Sequence, residues 1–221
     1  MSRADLPPLT PNPSPAHGRG EHRESLRDLN GTEIVGVLLA AGKGRRFGAD
    51  KLLHPLADGT PMAIAAARNL RAACDHSLAV LRPDQRQLAG LLSAEGLSIA
   101  YSAEAEFGMG HSLAAGVLAS PDAGGWIIAL ADMPFLRPET IVAVVNALRA
   151  GASVAAPVMD ARRGHPVGFS PSCFDELVGL TGDQGARSLL ARQPDRLTGM
   201  DCDDPGIFRD VDTPEDLQTH R

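Results

Sequence analysis

Residues 34–51, IVGVLLAAGKGRRFGADK, give the clearest indication of the fold. Its first seven residues are apolar or glycine, and a continuous apolar run of this length predicts a strand buried on both faces, as in a parallel sheet. The strand runs directly into a turn with three glycines and four basic residues, namely Gly42, Gly44, Gly48, Lys43, Arg45, Arg46 and Lys51. A strand followed by such a turn is typical of α/β proteins.

The alternation of short apolar runs and longer amphipathic stretches continues along the chain. The apolar runs predict strands at 34–40, 77–81, 97–101, 126–131, 153–158, 166–169 and 208–211. The amphipathic stretches predict helices at 61–73, 84–94, 111–119, 138–149, 171–178, 184–192 and 214–219. This order predicts an α/β layered fold with one domain at residues 31–221. Residues 1–30 are rich in proline and mixed charge, which predicts a disordered extension.

The composition limits the class of protein. The chain has 221 residues, 43% hydrophobic and 22% charged, which suffices for a packed core without disulfides. The net charge is -6, with one Trp, one Tyr and six Phe, so we expect no nucleic-acid partner. The three cysteines follow no metal-ligand spacing and no apolar run is long enough to span a bilayer. We therefore expect a cytoplasmic protein with no membrane partner.

The glycine-rich turn is suited to binding a polyphosphate. Glycines let backbone N–H groups approach an anion closely, and the four cations supply charge. In a partly desolvated cleft, two unit charges 4 Å apart interact by about 4 kcal/mol before desolvation. A dinucleotide-binding GxGxxG turn would need glycine where Phe47 stands, and a Walker A loop would need GK followed by Ser or Thr. The alternative is a surface turn with solvated basic residues.

Two carboxylates follow predicted strands and are candidates for a metal site. Asp132 comes directly after WIIALA at 126–131, at the carboxyl end of a strand, where open α/β sheets bind ligands. Asp212 follows the last short strand. Mg²⁺ commonly uses one or two carboxylates together with phosphate oxygens. Each aspartate could instead cap the turn or helix that follows it, and Asp210 is a nearby competitor for the second ligand.

Three further stretches are polar and bounded by glycines. FGMGHSLAAGV at 107–117 opens a helix, and its N–H groups and the Ser112 hydroxyl are candidates to bind a base or ribose, with helix capping as the alternative. RGHPVGF at 163–169 and GDQGAR at 182–187 are candidates for the wall of a second-substrate site. The basic residues that would hold a second phosphate there, or else lie solvated, are Arg162, Arg163 and Arg187.

Six motifs, taken in order, resemble those of one family. LAAGKGRRFGADK, GMGHSLAAGV, LADMP, RGHPVGF, GDQGAR and VDTPEDL are similar to motifs of the molybdenum cofactor nucleotidyltransferases, most closely the cytidylyltransferase branch. The resemblance covers residues 34–217. It implies a Rossmann-like nucleotidyltransferase fold, three layers α/β/α with a mostly parallel sheet. It also implies transfer of CMP from CTP to the terminal phosphate of molybdenum-bearing molybdopterin, with Mg²⁺ as cofactor and pyrophosphate as product.

The resemblance also implies roles for individual residues. The nucleotide would be lined by Leu39, Ala40, Ala41, Gly42 and Gly44, with Gly110 and Ser112 near the base or ribose. Arg46 and Lys51 would contact the phosphates and act in catalysis with Asp132, while Asp132 and Asp212 would hold the metal. His165 and Asp183 would lie near the pterin substrate. The guanylyltransferase relatives usually show LAGG where this chain has LAAG, so Ala41 favours cytosine.

Three alternatives stay open. The same fold can use GTP, or transfer a nucleotide to another phosphorylated acceptor. Glycine-rich turns also hold NAD(P), and Arg82 near the end of the second strand could meet a 2′-phosphate, which would indicate an oxidoreductase. The third alternative is a noncatalytic protein that contacts a molybdenum hydroxylase transiently and delivers its cofactor.

Overall fold

The computed structural model describes residues 29–42, 47, 50–183 and 185–217, which form one eight-stranded sheet with helices on both faces. The strands are β1 Ile34–Leu39, β2 His76–Leu81, β3 Ser98–Tyr101, β4 Gly125–Leu130, β5 Val154–Met159, β6 Arg162–Arg163, β7 Val167–Phe169 and β8 Leu197–Asp201. The helices are α1 Met62–Arg71, α2 Arg86–Ala94, α3 Met109–Leu118, α4 Pro138–Arg149, α5 Phe174–Val178 and α6 Arg187–Arg192. Short 3₁₀ turns lie at Lys51–Leu53, Ala103–Phe107, Pro171–Cys173, Pro194–Arg196, Pro205–Phe208 and Pro214–Leu217.

The first four strands form the parallel half of the sheet, in the order β3-β2-β1-β4. Beyond β4, β7 runs antiparallel and pairs with β5, which also pairs with β6 and β8. The carboxyl ends of β1 and β4 therefore lie side by side, with Leu39 opposite Leu130. The residues that follow these two strands emerge at the same edge of the sheet.

Alternating residues of β1 divide the core into two layers. Ile34 and Leu38 pack with α1, α2 and α4 on one face, whereas Val35 and Val37 pack with α3, α5 and α6 on the other. Both sets are buried, because a central parallel strand has helices over each face. The predicted three-layer α/β/α fold with a mostly parallel sheet is confirmed. Among the helices of the described segments, none is both long and apolar enough to cross a membrane.

Several sequence-based predictions of secondary structure differ from the structure. The predicted helix at 214–219 is a 3₁₀ turn over Pro214–Leu217, and the predicted helix at 171–178 begins with a 3₁₀ turn over Pro171–Cys173. The predicted strand at 208–211 is wrong, because this segment leaves a 3₁₀ turn and pairs with a loop, the Val211 N–H donating to the Asp132 carbonyl at 2.9 Å. The strand β8 was not predicted, since LTGMD is largely exposed and lacks an apolar run. The two-residue strand β6 was also missed. The predicted disordered extension at 1–30 lies almost wholly outside the described residues.

Asp204 connects the segment before Asp212 to the start of α4 through hydrogen bonds of its side chain. One carboxylate oxygen accepts the Arg137 N–H at 2.9 Å and the Thr140 hydroxyl at 2.8 Å, and the other accepts the Gly206 N–H at 2.8 Å. The side chain is buried, so its loss would leave donors without an acceptor.

We expect Asp204→Ala to lower the free energy of unfolding by about 2 to 4 kcal/mol, since several hydrogen bonds to one buried charged acceptor are lost together. Asp203→Ala is the matched control, because that side chain is 99% exposed and its one ion pair, with Arg137, is at the surface. We expect a change below about 0.5 kcal/mol for the control. Urea denaturation of both variants checks the prediction, and equal midpoints would contradict it.

Candidate active site

A lysine and two aspartates from distant parts of the sequence meet at the carboxyl edge of the sheet. Asp132 follows β4, and Lys51 begins the 3₁₀ turn after the glycine-rich stretch. Asp212 is brought beside Asp132 because the preceding residue, Val211, donates its N–H to the Asp132 carbonyl. The three side chains come together although Lys51 and Asp212 are 161 residues apart in sequence.

The Lys51 ammonium lies between the two carboxylates. Its Nζ is 2.9 Å from Asp132 Oδ2 and 2.8 Å from Asp212 Oδ1. Burial of Lys51 lowers its pKa, but the hydrogen bond that its ammonium donates to Asp212 and the negative charge of Asp132 outweigh burial, so the pKa is raised above its ordinary value. Lys51 is only 6% exposed and stays charged at neutral pH. The site thus holds a permanent positive charge between two acidic groups.

Asp216 holds the turn that presents Asp212. Its Oδ2 accepts the N–H groups of Asp212 and Thr213 at 2.9 and 2.7 Å, and the Thr213 hydroxyl at 3.1 Å. The capping carboxylate of this turn is therefore Asp216, and the Asp212 side chain reaches Lys51 instead. Hydrogen bonds from the Thr213 and Asp212 N–H groups lower the pKa of Asp216.

Two cavities meet at this cluster and share Leu39, Gly42 and Asp132 in their walls. The first has a volume of about 430 Å³, and its wall also contains Lys51 and Arg82. The second has a volume of about 580 Å³ and extends over the start of α3, where its lining residues include Ala41, Gly108, Met109, Ser112 and Asp183. The volumes are in the range of sites for small molecules.

The far wall of the second cavity depends on close contact between two glycine turns. The Gly110 N–H donates to the Gly182 carbonyl at 2.8 Å. Gly108 has a φ of +130°, and a Cβ there would lie 2.3 Å from the Gly182 carbonyl carbon. Neither the backbone conformation nor the space at Gly108 admits a side chain.

We expect Gly108→Ala to separate the two turns, to reduce stability by about 1 to 3 kcal/mol and to weaken ligand binding in the second cavity. Gly90→Ala is the control, because Gly90 is exposed within α2 and a Cβ there meets nothing within 4 Å. This control is expected to raise stability by about 0.5 to 1 kcal/mol. Thermal denaturation measures the stability of both variants. A Gly108→Ala protein as stable as the wild type would contradict the prediction.

The structure assembles most of the residues singled out in the sequence, but not all of them. The cavity walls contain eight of them, namely Leu39, Ala40, Ala41, Gly42, Lys51, Ser112, Asp132 and Asp183. Gly44 and Arg46 lie outside the described residues. Gly110 lines neither cavity and contributes through its bond to Gly182.

His165 also lines neither cavity. Its N–H donates to the Ile207 carbonyl at 3.0 Å, and its buried Nδ1 has no hydrogen-bond partner among the described residues. Burial, assisted by the charge of Arg163, lowers the pKa of His165 to about 4, so the imidazole is neutral at neutral pH. Burial and the nearby charge of Arg187 likewise lower the pKa of Arg163. After burial, the positive charges of Arg163 and Arg187 both contribute to the lowered pKa of His165.

Sequence reasoning missed two residues that shape the site, Gln85 and Asp216, and gave a third, Arg82, a different role. Gln85 and Arg82 bind carbonyls of the glycine-rich turn, and Asp216 holds Asp212. The capping role of Asp216 could have been predicted, because Thr213-x-x-Asp216 is a variant of the sequence pattern that marks the start of a helix. Arg82 was considered only for a cofactor phosphate, and a single glutamine at a helix start gives no distinguishing signal.

The fold and the site define a nucleotide-binding α/β enzyme. Residues 36–197 match the family described as the MobA-like NTP transferase domain, and the chain belongs to this family. It is a nucleotidyltransferase, related to molybdenum cofactor nucleotidyltransferases.

Three named relatives align over nearly their full length. Purine catabolism protein PucB of Bacillus subtilis is 34% identical over 85% of this chain and 96% of the relative. Nicotine blue oxidoreductase of Paenarthrobacter nicotinovorans is 32% identical, with 83% and 94% covered. A molybdenum cofactor guanylyltransferase of Cupriavidus pinatubonensis is 32% identical, with 85% and 96% covered.

Solved structures of similar fold include Rv0371c of Mycobacterium tuberculosis, with a TM-score of 0.72, 28% identity, and 85% of this chain and 97% of that chain covered. A complex of Rv0371c with manganese has a TM-score of 0.69 and 27% identity, with 85% and 96% covered.

Proposed function

We propose that the protein transfers CMP from CTP to the terminal phosphate of molybdenum-bearing molybdopterin and releases pyrophosphate in a Mg²⁺-dependent reaction. The observation that carries the proposal is the Lys51 ammonium held between Asp132 and Asp212 at the meeting point of two cavities. One of the two cavities is proposed to accept the nucleotide, and the other is proposed to accept the second substrate. Membership in the MobA-like family supports the reaction class.

The donor set fits a hard divalent cation that arrives with phosphates. One carboxylate oxygen of Asp132 and one of Asp212 lie within 2.9 Å of Lys51 Nζ, so the two carboxylates converge on the same position. No cluster of three or more His, Cys, Asp or Glu side chains in the described residues would hold a metal alone. Mg²⁺ normally uses one or two carboxylates and completes its shell with water and phosphate oxygens. The manganese complex of Rv0371c supports a divalent metal in this fold.

In the reaction, an oxygen of the acceptor phosphate attacks the α-phosphorus of CTP, and the bond to the departing pyrophosphate breaks. The nucleophile is already anionic, so positioning and charge neutralisation dominate and no general base is required. Asp132 and Asp212 would hold Mg²⁺, which supplies charge stabilisation on the phosphates. Lys51, together with Arg46, would neutralise the departing pyrophosphate.

The acceptor phosphate is proposed to bind near Arg163 and Arg187, the basic residues of the RGHPVGF and GDQGAR stretches. The pKa of Arg163 is lowered by its burial and, to a smaller extent, by repulsion from the positive charge of Arg187. An anion between them would relieve this repulsion, and arginine is well suited to bind phosphate. Asp183, in the wall of the second cavity, is proposed to contact the pterin, whereas the buried His165 lines neither cavity. A transient contact with a molybdenum hydroxylase stays a prediction, which a pull-down with that enzyme would test.

Selection of the base is proposed to depend on Ala41, which is buried and lines the second cavity. Pyrophosphate release measured with molybdopterin and each of CTP, GTP, UTP and ATP tests the proposal. We expect CTP to be used at least about 10-fold better than GTP, and Ala41→Gly to narrow that ratio. Preference for GTP by the wild-type protein would overturn the base assignment while leaving the reaction class intact.

An NAD(P)-dependent oxidoreductase is the second candidate, favoured by the name of one relative, nicotine blue oxidoreductase. Arg82, the residue considered for a 2′-phosphate, donates instead to carbonyls of this chain and to Asp84. Binding of NADPH without binding of Mg-CTP in a thermal-shift experiment would favour this candidate.

A further inference from the structure

Gln85 lies just before α2, and its side chain connects the loop after β2 to Ala40, shortly before the glycine-rich turn. Its side chain is 8% exposed, and the amide Nε2 donates to the Ala40 carbonyl at 3.0 Å. The same amide accepts the Arg82 N–H through Oε1 at 2.8 Å. A glutamine can do both because it carries a donor and an acceptor. Gln85 therefore fixes the distance between two loops that line the first cavity.

Arg82 holds the next two carbonyls of the turn. Its Nη1 donates to the carbonyls of Ala41 and Gly42 at 2.6 and 3.2 Å. The guanidinium is itself oriented by Asp84, whose Oδ1 lies 3.1 Å from the Arg82 Nε. Two side chains of one loop thus engage three consecutive carbonyls, those of Ala40, Ala41 and Gly42.

The orientation of these carbonyls fixes the direction of the adjacent N–H groups. In a planar trans peptide, the carbonyl of one residue and the N–H of the next point in opposite directions. The N–H groups of Ala41 and Gly42 consequently point away from Gln85 and Arg82, and the described residues provide neither with an acceptor. Among the described residues, nothing lies within 4 Å of the position that a Cβ would take at Gly42, and Gly42 lines both cavities.

We propose that Gln85 and Arg82 are positioning residues that hold residues 40–42, where the glycine-rich turn begins, so that the N–H groups of Ala41 and Gly42 face the bound nucleotide. The proposal rests on the proposed function in one respect, namely that a nucleotide binds at this turn. Neither residue acts on the reacting phosphorus; both act through the backbone of residues 40–42. Free N–H groups held in advance bind an acceptor without the cost of ordering the turn.

The test uses Gln85→Leu, which keeps the bulk and removes both hydrogen bonds. Gln87→Leu is the matched control, since Gln87 is an exposed glutamine two residues further along the chain, in the first turn of α2. Titration calorimetry with Mg-CTP, repeated with Mg-GTP and Mg-ATP, is expected to show about 10-fold weaker binding for Gln85→Leu with whichever nucleotide the wild type binds. In steady-state assays the KM should rise by a similar factor while kcat changes less than about 3-fold.

Hydrogen exchange gives a readout that needs no ligand. The Ala40 N–H donates to the Val80 carbonyl at 3.0 Å next to the contact with Gln85, so its exchange is expected to accelerate in Gln85→Leu and not in Gln87→Leu. If the wild type binds no nucleoside triphosphate, the proposed function fails and so does the claim that these N–H groups face a nucleotide, whereas exchange at Ala40 still decides whether Gln85 holds residues 40–42. Unchanged exchange and unchanged affinity would overturn it, and so would a loss of kcat with no change in KM. If Gln85→Leu does not fold, Arg82→Lys replaces it, because lysine cannot bind both carbonyls and Asp84 as a planar fork.

Discussion

Asp132→Ala is expected to reduce turnover by at least about 100-fold with the fold intact. Asp132 is proposed to hold the metal and lies at the junction of the two cavities. Its loss removes one of the two carboxylates beside Lys51 and leaves the other, Asp212, in place. The core strand β4 ends before it, so the sheet does not depend on this side chain. Pyrophosphate release at saturating CTP and Mg²⁺ measures the effect.

Asp203→Ala serves as the control for activity as well as for stability, because its exposed carboxylate lies outside both cavity walls. Turnover of this variant should match the wild type. Circular dichroism and the melting temperature of Asp132→Ala show whether the fold is retained. Near-normal turnover in a folded Asp132→Ala protein would remove Asp132 from the metal site.

Lys51→Met is expected to reduce turnover by about 100-fold, because an apolar side chain of similar length cannot neutralise the leaving pyrophosphate. The variant has a second expected effect. Without an ammonium less than 3 Å from both carboxylates, Asp132 and Asp212 should bind Mn²⁺ more tightly in the absence of nucleotide, by about 10-fold or more. Electron paramagnetic resonance of free Mn²⁺ measures that affinity apart from activity.

Lys51→Arg is the matched variant, because it keeps the positive charge and changes its shape. It should leave the affinity for Mn²⁺ near the wild-type value while it lowers turnover by less than Lys51→Met does. Equal turnover for the wild type and Lys51→Met would exclude Lys51 from the reaction. An unchanged Mn²⁺ affinity in Lys51→Met would mean that metal does not bind between the two carboxylates.

The parallel half of the fold could be predicted from sequence because its strands are continuous apolar runs. WIIALA and IVGVLLA are buried on both faces, and burial of both faces is what such runs indicate. The edge strand β8 could not be predicted in this way, because its stability comes from pairing with β5 and its side chains are largely exposed. A strand was wrongly predicted at 208–211. Phe208 and Val211 are apolar and pack against the interior, but the segment does not pair as a strand.

The site was predictable as far as each residue follows a local signal. Asp132 and Lys51 adjoin the ends of β4 and of the glycine-rich turn, and parallel strands bring such positions to one edge. The direct contact of Lys51 with Asp212 depends on the backbone hydrogen bond between Val211 and Asp132, which no local pattern encodes. The role of Gln85 likewise depends on which carbonyl it reaches in the folded chain.

The most direct measurement is the anomalous scattering of Mn²⁺ in crystals grown with a nonhydrolysable CTP analogue. The account predicts one strong peak within about 2.3 Å of carboxylate oxygens of Asp132 and Asp212, with phosphate oxygens of the analogue completing the shell and Lys51 moved toward the phosphates. A nucleotide bound in the cleft with its metal more than about 5 Å from both aspartates would contradict it.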